Sequence, residues 1–519
     1  MLTGEQLFRI LGHIDPELIE EAADQERRRS WRRAAAAACI AVLCVGSIGW
    51  CLHRIPPSKA GSSGSGIAGG DGTSEGAAFM SYAGPVFPLT LAKDCSGLTA
   101  QRHLTWDLAP GTHEDGSPRQ WGAGVTDRYV LTDYTGEDLT VTAYYPFAGS
   151  FLHLDHQRPA IQVDGKAADT VLLAGAYAGG FQGVWEPDGY GGHQLDGSTL
   201  NLTSPASWRD YQALLQDGSY LESASVPPDI PDIPVTLYTF TDYVLPESAP
   251  DAATQAIAFT IDQEATTILT YGFNGSSQDT GWRQYSFFVP DEDRAQEEKY
   301  LLVLGRDLTD YALSGYADGG CDPREEVAGI SCTITRRETT LDAALELLCR
   351  EYLDSGTTIA FGAPSQDFAP VFPLFHQAVT DWVVRYSPAI GKGVDRYADG
   401  RLDEILAEAY SQDRVLYLAF PVTVPAGGSV CITAQAQKSP SFDYGCSGSE
   451  NVGLQGYDMV TQLGSCLDFT AQQAALVHTE NIQLDRQNFG FDLARGITEV
   501  DLSPDTAHYY LEIREKKDP

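Results

Sequence analysis

The chain has 519 residues, 43% hydrophobic and 20% charged, and its 71 acidic against 34 basic side chains give a formal charge of −37. That balance excludes a nucleic-acid partner, which needs clustered Lys and Arg to neutralise phosphates, and for the same reason disfavours direct docking on anionic lipid. The length suits an anchor and linker followed by two or three ordinary domains.

Residues 1–33 read as a cytoplasmic helical segment. Thr3 and Gln6 fit a capping box, and Leu7, Phe8, Ile10 and Leu11 form an apolar stripe. Asp15 and Pro16 then start a second helix through Leu18, Ile19 and Ala22. Two helices this short cannot build a core alone, so the apolar faces of residues 1–26 are expected to meet each other, the membrane or a cytoplasmic protein partner. Next come Arg27, Arg28, Arg29, Arg32 and Arg33, and then Ala34 to Leu52, a stretch without a charge. Roughly 20 apolar residues span a ~30 Å hydrocarbon core as a helix, which predicts a transmembrane helix over residues 34–53. The arginines put the N-terminus in the cytoplasm and the bulk of the chain outside the cell. A cleaved signal peptide fits less well: its basic residues open the chain and small residues follow its core, whereas here Trp50, Cys51, Leu52, His53 and Arg54 follow.

The stretch LTGEQLFRILGHIDPELIEEA, the arginine cluster, the Ala-rich single span and the large β-rich remainder together resemble a group of uncharacterised single-pass membrane proteins of clostridial-type bacteria. In layout they are also similar to membrane-bound anti-sigma factors. The second likeness implies that the inner segment holds a sigma factor, although it lacks the His and Cys zinc pattern that one large class of those regulators carries.

Residues 54–80 form a Gly/Ser-rich tether, clearest over Pro56 to Ala78, with an average reach of about 25–30 Å. From Ser81 onward short period-two runs separated by turn residues signal antiparallel sheet. Two hairpins are predicted: Arg128–Tyr134 with Leu139–Phe147, and Val415–Val424 with Ser429–Ala436. Further strands are expected over Thr236–Tyr243, Ala256–Ile261, Thr267–Tyr271, Tyr300–Leu304, Gly329–Thr335 and Tyr509–Ile513. Helices are expected over Ser207–Leu215, Thr340–Tyr352, Trp382–Tyr386 and Leu402–Tyr410. A boundary near Thr339 would divide a β-rich ectodomain of residues 81–338 from a second, α+β ectodomain of residues 339–519. The fold class is therefore mainly β, an antiparallel β-sandwich ectodomain with inserted helices behind one N-terminal transmembrane helix. Val86-Phe-Pro-Leu89 and Val371-Phe-Pro-Leu374 hint at an internal repeat.

Of the ten cysteines, Cys39, Cys44 and Cys51 lie in the span. Cys321 with Cys332, and two of Cys431, Cys446 and Cys466, are close enough in sequence to bridge neighbouring strands; Cys95 and Cys349 complete the set. No CxxC occurs.

Chemistry is sparsely marked. Phe151-Leu-His153-Leu-Asp155-His156 resembles the HxHxDH motif of metallo-β-lactamase-fold hydrolases, which implies metal ligation by His153, Asp155 and His156, with Phe151 standing where the first histidine belongs. Asp395, Asp399, Gly400 and Asp403 match positions 1, 5, 6 and 9 of a calcium loop, but Tyr397 and Leu406 occupy positions that need oxygen ligands. Weak Ca²⁺ binding at acidic loops, Glu186-Pro-Asp188 to Asp196 or Asp318 to Glu326, is compatible with so acidic a domain outside the cell. GxSxG, GxGxxG, GxxxxGK[ST] and HExxH are all absent. These features favour a binding, sensing or structural module of unassigned ligand over an anti-sigma-type regulator, and both over a metal-dependent hydrolase.

Overall fold

The computed structural model describes residues 84–109, 122–177, 208–218, 221, 232–247, 249–250, 252–290, 297–354, 371–390, 397–411, 413–443 and 453–516. The predicted inner helices, span and tether lie outside these residues, as do Asp395, Cys446 and the 186–196 loop. Strand makes up 50% and helix 16%, so the chain is mainly β, with several antiparallel sheets.

The largest sheet has seven strands in the order Glu499–Asp501, Asp468–Val477, Leu98–Asp107, Ala123–Asp133, Ser429–Lys438, Ala160–Val163 and Lys166–Ala167. All its pairings are antiparallel except that of Leu98–Asp107 with Asp468–Val477. Two four-stranded sheets face it. One runs Thr90–Leu91, Leu139–Gly149, Arg414–Val424, Val171–Tyr177; the other Phe442–Asp443, Gln455–Val460, His508–Glu515, Ile482–Gln487. Segment 86–91 joins these two into one layer, because Val86 bridges Met459 while Thr90 and Leu91 pair with Tyr144 and Ala143. The core between the layers follows from period-two alternation. Leu104, Trp106 and Val125 meet Tyr457, Met459 and Leu511 at one end; Tyr129, Leu131 and Ile432 meet Tyr145, Leu418 and Phe420 at the other.

The two predicted hairpins exchange partners. Ala123–Asp133 pairs with Ser429–Lys438 in the seven-stranded sheet, and Leu139–Gly149 with Arg414–Val424 in the facing one. Each connection therefore arches from one layer to the other instead of reversing within a sheet. Asp133 staples the two arches together. Its carboxylate accepts the N–H groups of Thr135 (2.8 Å), Gly136 (3.3 Å) and Gly427 (3.0 Å) and the Thr135 hydroxyl (2.7 Å), while its own N–H donates to Gly428 O. The Thr135 N–H foremost, then those of Gly427 and Gly136 and the Thr135 hydroxyl, outweigh burial and hold this carboxyl down at about 2. A depressed folded value means that the staple is intact above the ordinary carboxyl range and lost as pH falls through about 2. The Asp133→Asn variant is therefore expected to melt below wild type at pH 6, with the difference in melting temperature shrinking toward pH 2 in a circular-dichroism series.

Residues 234–340 fold into two further four-stranded sheets. One is Thr266–Tyr271, Lys299–Gly305, Pro234–Val244, Ser331–Thr340; the other is Gly275–Asp279, Trp282–Phe288, Thr254–Thr260, Thr309–Tyr316. Phe240, Ile268, Leu301 and Val303 pack across onto Ile257, Phe259, Tyr285 and Phe287. The reverse face, with Val235, Leu237, Tyr300 and Leu302, packs on the helices Leu341–Asp354, Phe372–Tyr386 and Leu402–Ser411. Covered on both faces, Lys299–Gly305 reads as an unbroken apolar run.

Thr339 is thus not a boundary between successive units. Strands from both sides of it share the seven-stranded sheet, and residues 234–340 with the following helices are inserted between Val171–Tyr177 and Arg414–Val424, which pair directly. The VFPL repeat has no structural counterpart either: the first copy is extended between sheets, whereas Phe372 and Pro373 of the second begin a helix, where proline's fixed φ is tolerated. Cys95, Cys321, Cys332, Cys349, Cys431 and Cys466 are all free thiols, so the suggested 321–332 bridge does not form, nor, of the three pairings suggested among Cys431, Cys446 and Cys466, does 431–466; Cys446 lies outside the described residues. Cys321 lies beside Ser286 of one sheet while Cys332 packs among the apolar residues of its partner sheet.

Candidate functional site

The residues singled out by pattern are placed mainly by packing. Phe151 is 1% exposed, edge-on to Phe375 at 5.9 Å and beneath the Arg414 guanidinium at 5.0 Å. The position where the hydrolase likeness needs a histidine is thus a core aromatic. His153 is exposed and immediately precedes the one-turn helix Leu154–Gln157; its N–H donates to Ser150 Oγ at 3.2 Å. Asp155 and His156 lie on that helix, and their side chains are outside the described residues.

Of the calcium-loop candidates, Asp399 is exposed. Asp403 sits in the first turn of helix Leu402–Ser411, and its Oδ1 accepts the Gly272 N–H at 2.7 Å. Burial raises its carboxyl, against the pull of that N–H. Gly400 has φ +69, and a Cβ there would come within 2.4 Å of Ile268 O; a close backbone approach, with Gly400 O accepting from Thr270 N–H, accounts for the glycine. In the 318–326 loop Asp318 accepts the Gly320 N–H and Asp322 takes the Arg324 N–H and guanidinium, so both carboxylates serve their own turns. Among the described residues no group of three or more His, Cys, Asp or Glu side chains is placed to hold a metal ion.

Charges are concentrated instead where the two layers meet near segment 85–89. Arg102, fully buried on strand Leu98–Asp107, makes a two-pronged pair with Asp127, Nε to Oδ1 and Nη2 to Oδ2, both 2.9 Å. Its remaining donors reach Val460 O at 2.8 Å and Phe87 O at 3.3 Å. The Tyr129 and Tyr145 hydroxyls donate to Asp127 Oδ2 at 2.6 and 3.4 Å, and Leu89 N–H donates to the Tyr129 oxygen at 3.0 Å. One carboxylate therefore ties together both layers and the segment joining the two facing sheets. Nearby, Asp458 Oδ2 accepts the Tyr211 hydroxyl at 2.8 Å and lies 2.8 Å from His508 Nε2.

Beside this network a small cleft opens between segments 85–87, 145–148, 157–159 and 436–439. Phe87, Tyr145, Phe147 and Pro159 give it apolar walls, and Gln157, Gln437 and Lys438 give it a polar side. Gln157 is oriented by a reciprocal arrangement: its Oε1 accepts Ser150 N–H at 2.9 Å and its amide donates to the buried carboxyl of Asp413. Burial pushes the Asp413 carboxyl up to about 7, against the pull of Lys438 and Gln157. Burial also brings the Lys438 ammonium down to about 8, against Asp458 and Asp413. Two ionisable groups with displaced values at the edge of a cleft are the physical mark of a candidate site.

Sequence reasoning does not reach this place, because its four walls come from distant parts of the chain. The only nearby signal is the 151–156 pattern, which falls on the one-turn helix whose last residue is Gln157. No family model matches the chain, and no curated protein matches it at a significant level.

Proposed function

We propose that the chain is a type II single-pass membrane protein whose residues 34–53 cross the bilayer, and whose acidic β-sandwich ectodomain works outside the cell as a binding or sensing module. The observation that carries this reading is the uncharged Ala34 to Leu52 stretch directly behind five arginines, which combines the length of a bilayer span with the charge bias that keeps the preceding segment inside. Among the described residues no helix is long and apolar enough to cross a membrane; the proposed span lies outside them. The dense apolar core between stacked sheets supports a rigid scaffold, and the cleft beside Lys438 supports binding over a purely mechanical role. Alkaline carbonate washing of membranes tests the anchor: the full chain stays in the pellet, and the variant lacking residues 34–53 appears in the supernatant. Release of the full chain would overturn the reading.

A second reading, a membrane-tethered regulator of the anti-sigma type, is favoured by the paired amphipathic stretches in residues 1–26, whose apolar faces need a cover. Capture of a sigma factor by residues 1–33, abolished by Leu7→Asp with Leu11→Asp, would establish it.

A further inference from the structure

We infer that the outer face of the layer formed by the two four-stranded sheets is a docking surface for an amphipathic helix. The chain's own helix Trp208–Asp217 occupies it as an exchangeable cover, and the partner it fits is a helix presenting a tyrosine and, one turn later, a leucine. The inference rests on the binding-module reading above and adds a partner class to it.

Period-two alternation builds the face. Leu416, Leu418, Tyr457 and Met459 point into the core between the layers, so Val415, Tyr417, Asp458 and Val460 point out. Val415, Tyr417 and Val460 form, with Phe87 and Leu454, an apolar cluster separate from both interlayer cores; it adjoins the cleft through Phe87 and Ala148. The outer face of the seven-stranded sheet is the contrast: Gln101, Thr105, Thr126, Arg128 and Thr433 stand there, half-buried or exposed. One outer face of the sandwich is made for water and the other for a cover.

The cover now seated is short. Helix Trp208–Asp217 buries Tyr211 and Leu215 in this cluster, 0% and 3% exposed, an i, i+4 pair on one side of the helix. After the helix, Leu221 O accepts the Tyr417 hydroxyl, and Gly464 lets Leu221 settle, since a Cβ there would come within 2.6 Å of Leu221 Cδ1. An isolated helix needs roughly 12–15 residues to hold in water, more than this one has, so the segment owes its helix to docking. The two interlayer cores are built without it. A short element outside the cores is the one that opens locally while the rest stays folded.

Asp458 sets what can take the cover's place. Its side chain is fully buried, and its Oδ2 accepts the Tyr211 hydroxyl at 2.8 Å and lies 2.8 Å from His508 Nε2, with Lys438 facing the same carboxylate. An apolar group without a donor at the Tyr211 position would remove one hydrogen bond from a buried carboxylate and put nothing in its place. A mostly apolar face with one such polar point combines affinity with choice, as in helix-in-groove recognition.

The test uses the full chain in lipid nanodiscs and a fluorescent synthetic peptide of residues 207–221, followed by anisotropy. The tethered cover has an effective concentration on the order of millimolar, so wild type is expected to bind the peptide weakly. The released variant Tyr211→Ala with Leu215→Ala, shown to be folded by its melting curve, should bind it saturably and at least tenfold more tightly. A peptide carrying Tyr211→Phe should bind that variant at least tenfold more weakly than the native one. A second measurement does not depend on the variant: in wild type, excess isotope-labelled peptide should raise hydrogen exchange in the chain's own helix at least threefold and leave strands Arg414–Val424 and Gln455–Val460 unchanged. Equal binding to both chains, absence of binding to the folded variant, a Tyr211→Phe peptide as tight as the native one, or unaltered exchange of the helix would each overturn the proposal. So would a released variant that dimerises through this face, which would assign it to a second copy. Carbonate extraction addresses the anchor independently, so the two failures are distinguishable.

Discussion

Replacing Asp127 by alanine is expected to cost about 3–5 kcal/mol of stability, the range found when one partner of a buried ion pair is removed. The substitution leaves the fully buried Arg102 guanidinium with only the carbonyls of Val460 and Phe87 as partners, and it strips the acceptor from the Tyr129 and Tyr145 hydroxyls. An uncompensated buried charge and orphaned buried hydroxyls are both among the short list of strongly destabilising events. At about 2–4 °C per kcal/mol for a domain of 150–250 residues, the melting temperature should drop by roughly 10 °C or more. The double variant Arg102→Met, Asp127→Leu removes both charges and should recover much of the loss, because a well-packed apolar pair often replaces a buried ion pair without penalty. A loss below about 1 kcal/mol in Asp127→Ala would mean that the pair does not hold the layers together.

The second large effect concerns Asp413. Its carboxyl titrates near 7 in the folded chain against an ordinary value of 3.8, so between roughly 4 and 7 the folded protein keeps a proton that the unfolded chain has released. Folding is then progressively disfavoured as pH rises through that window and levels off above it. At 1.36 kcal/mol per pH unit the whole span corresponds to about 4 kcal/mol, with the opposing attraction to Lys438 already contained in the value of about 7. Asp413→Asn keeps an acceptor for the Gln157 amide and removes the ionisation, so the variant should exceed wild type by only about 1 kcal/mol near pH 4.5 and by about 4 kcal/mol near pH 7.5. Urea titrations of both proteins at the two pH values measure the difference directly. A variant less stable than wild type at pH 7.5 would show that the ionised carboxylate is a net stabiliser through Lys438.

Much of the local structure is legible in the residues themselves. The helices at 341–354 and 402–411 announce themselves by apolar spacing and acidic first turns. Strands such as Tyr300–Leu304 do so by an unbroken apolar run that fits burial on both faces. Partner choice is not legible. The connections at 134–138 and 425–428 carry ordinary turn residues that suit a hairpin as well as an arch between layers, and the decision is made by contacts between the two arches at Asp133. Strand Leu98–Asp107 escapes notice because Arg102 stands in phase with Leu98, Ala100, Leu104 and Trp106, an inward position that normally carries an apolar side chain. Gln455–Val460 is hidden similarly, with Gly456 and Asp458 inside a strand buried along its whole length. The candidate cleft has no linear signature at all, since Lys438 acquires its character from burial, opposed by Asp458 and Asp413, only through the fold. The weak metal patterns fail for a related reason: spacing alone does not distinguish a ligand from a residue such as Asp403, whose Oδ1 accepts a backbone N–H from a neighbouring strand end.

The most direct test of the central claim is protease accessibility on intact cells expressing the full chain with separate tags at its two ends. External protease should destroy the C-terminal tag while the N-terminal tag survives on a small fragment ending shortly after residue 53. Survival of the C-terminal tag until the cells are lysed, or loss of the N-terminal tag in intact cells, would contradict it.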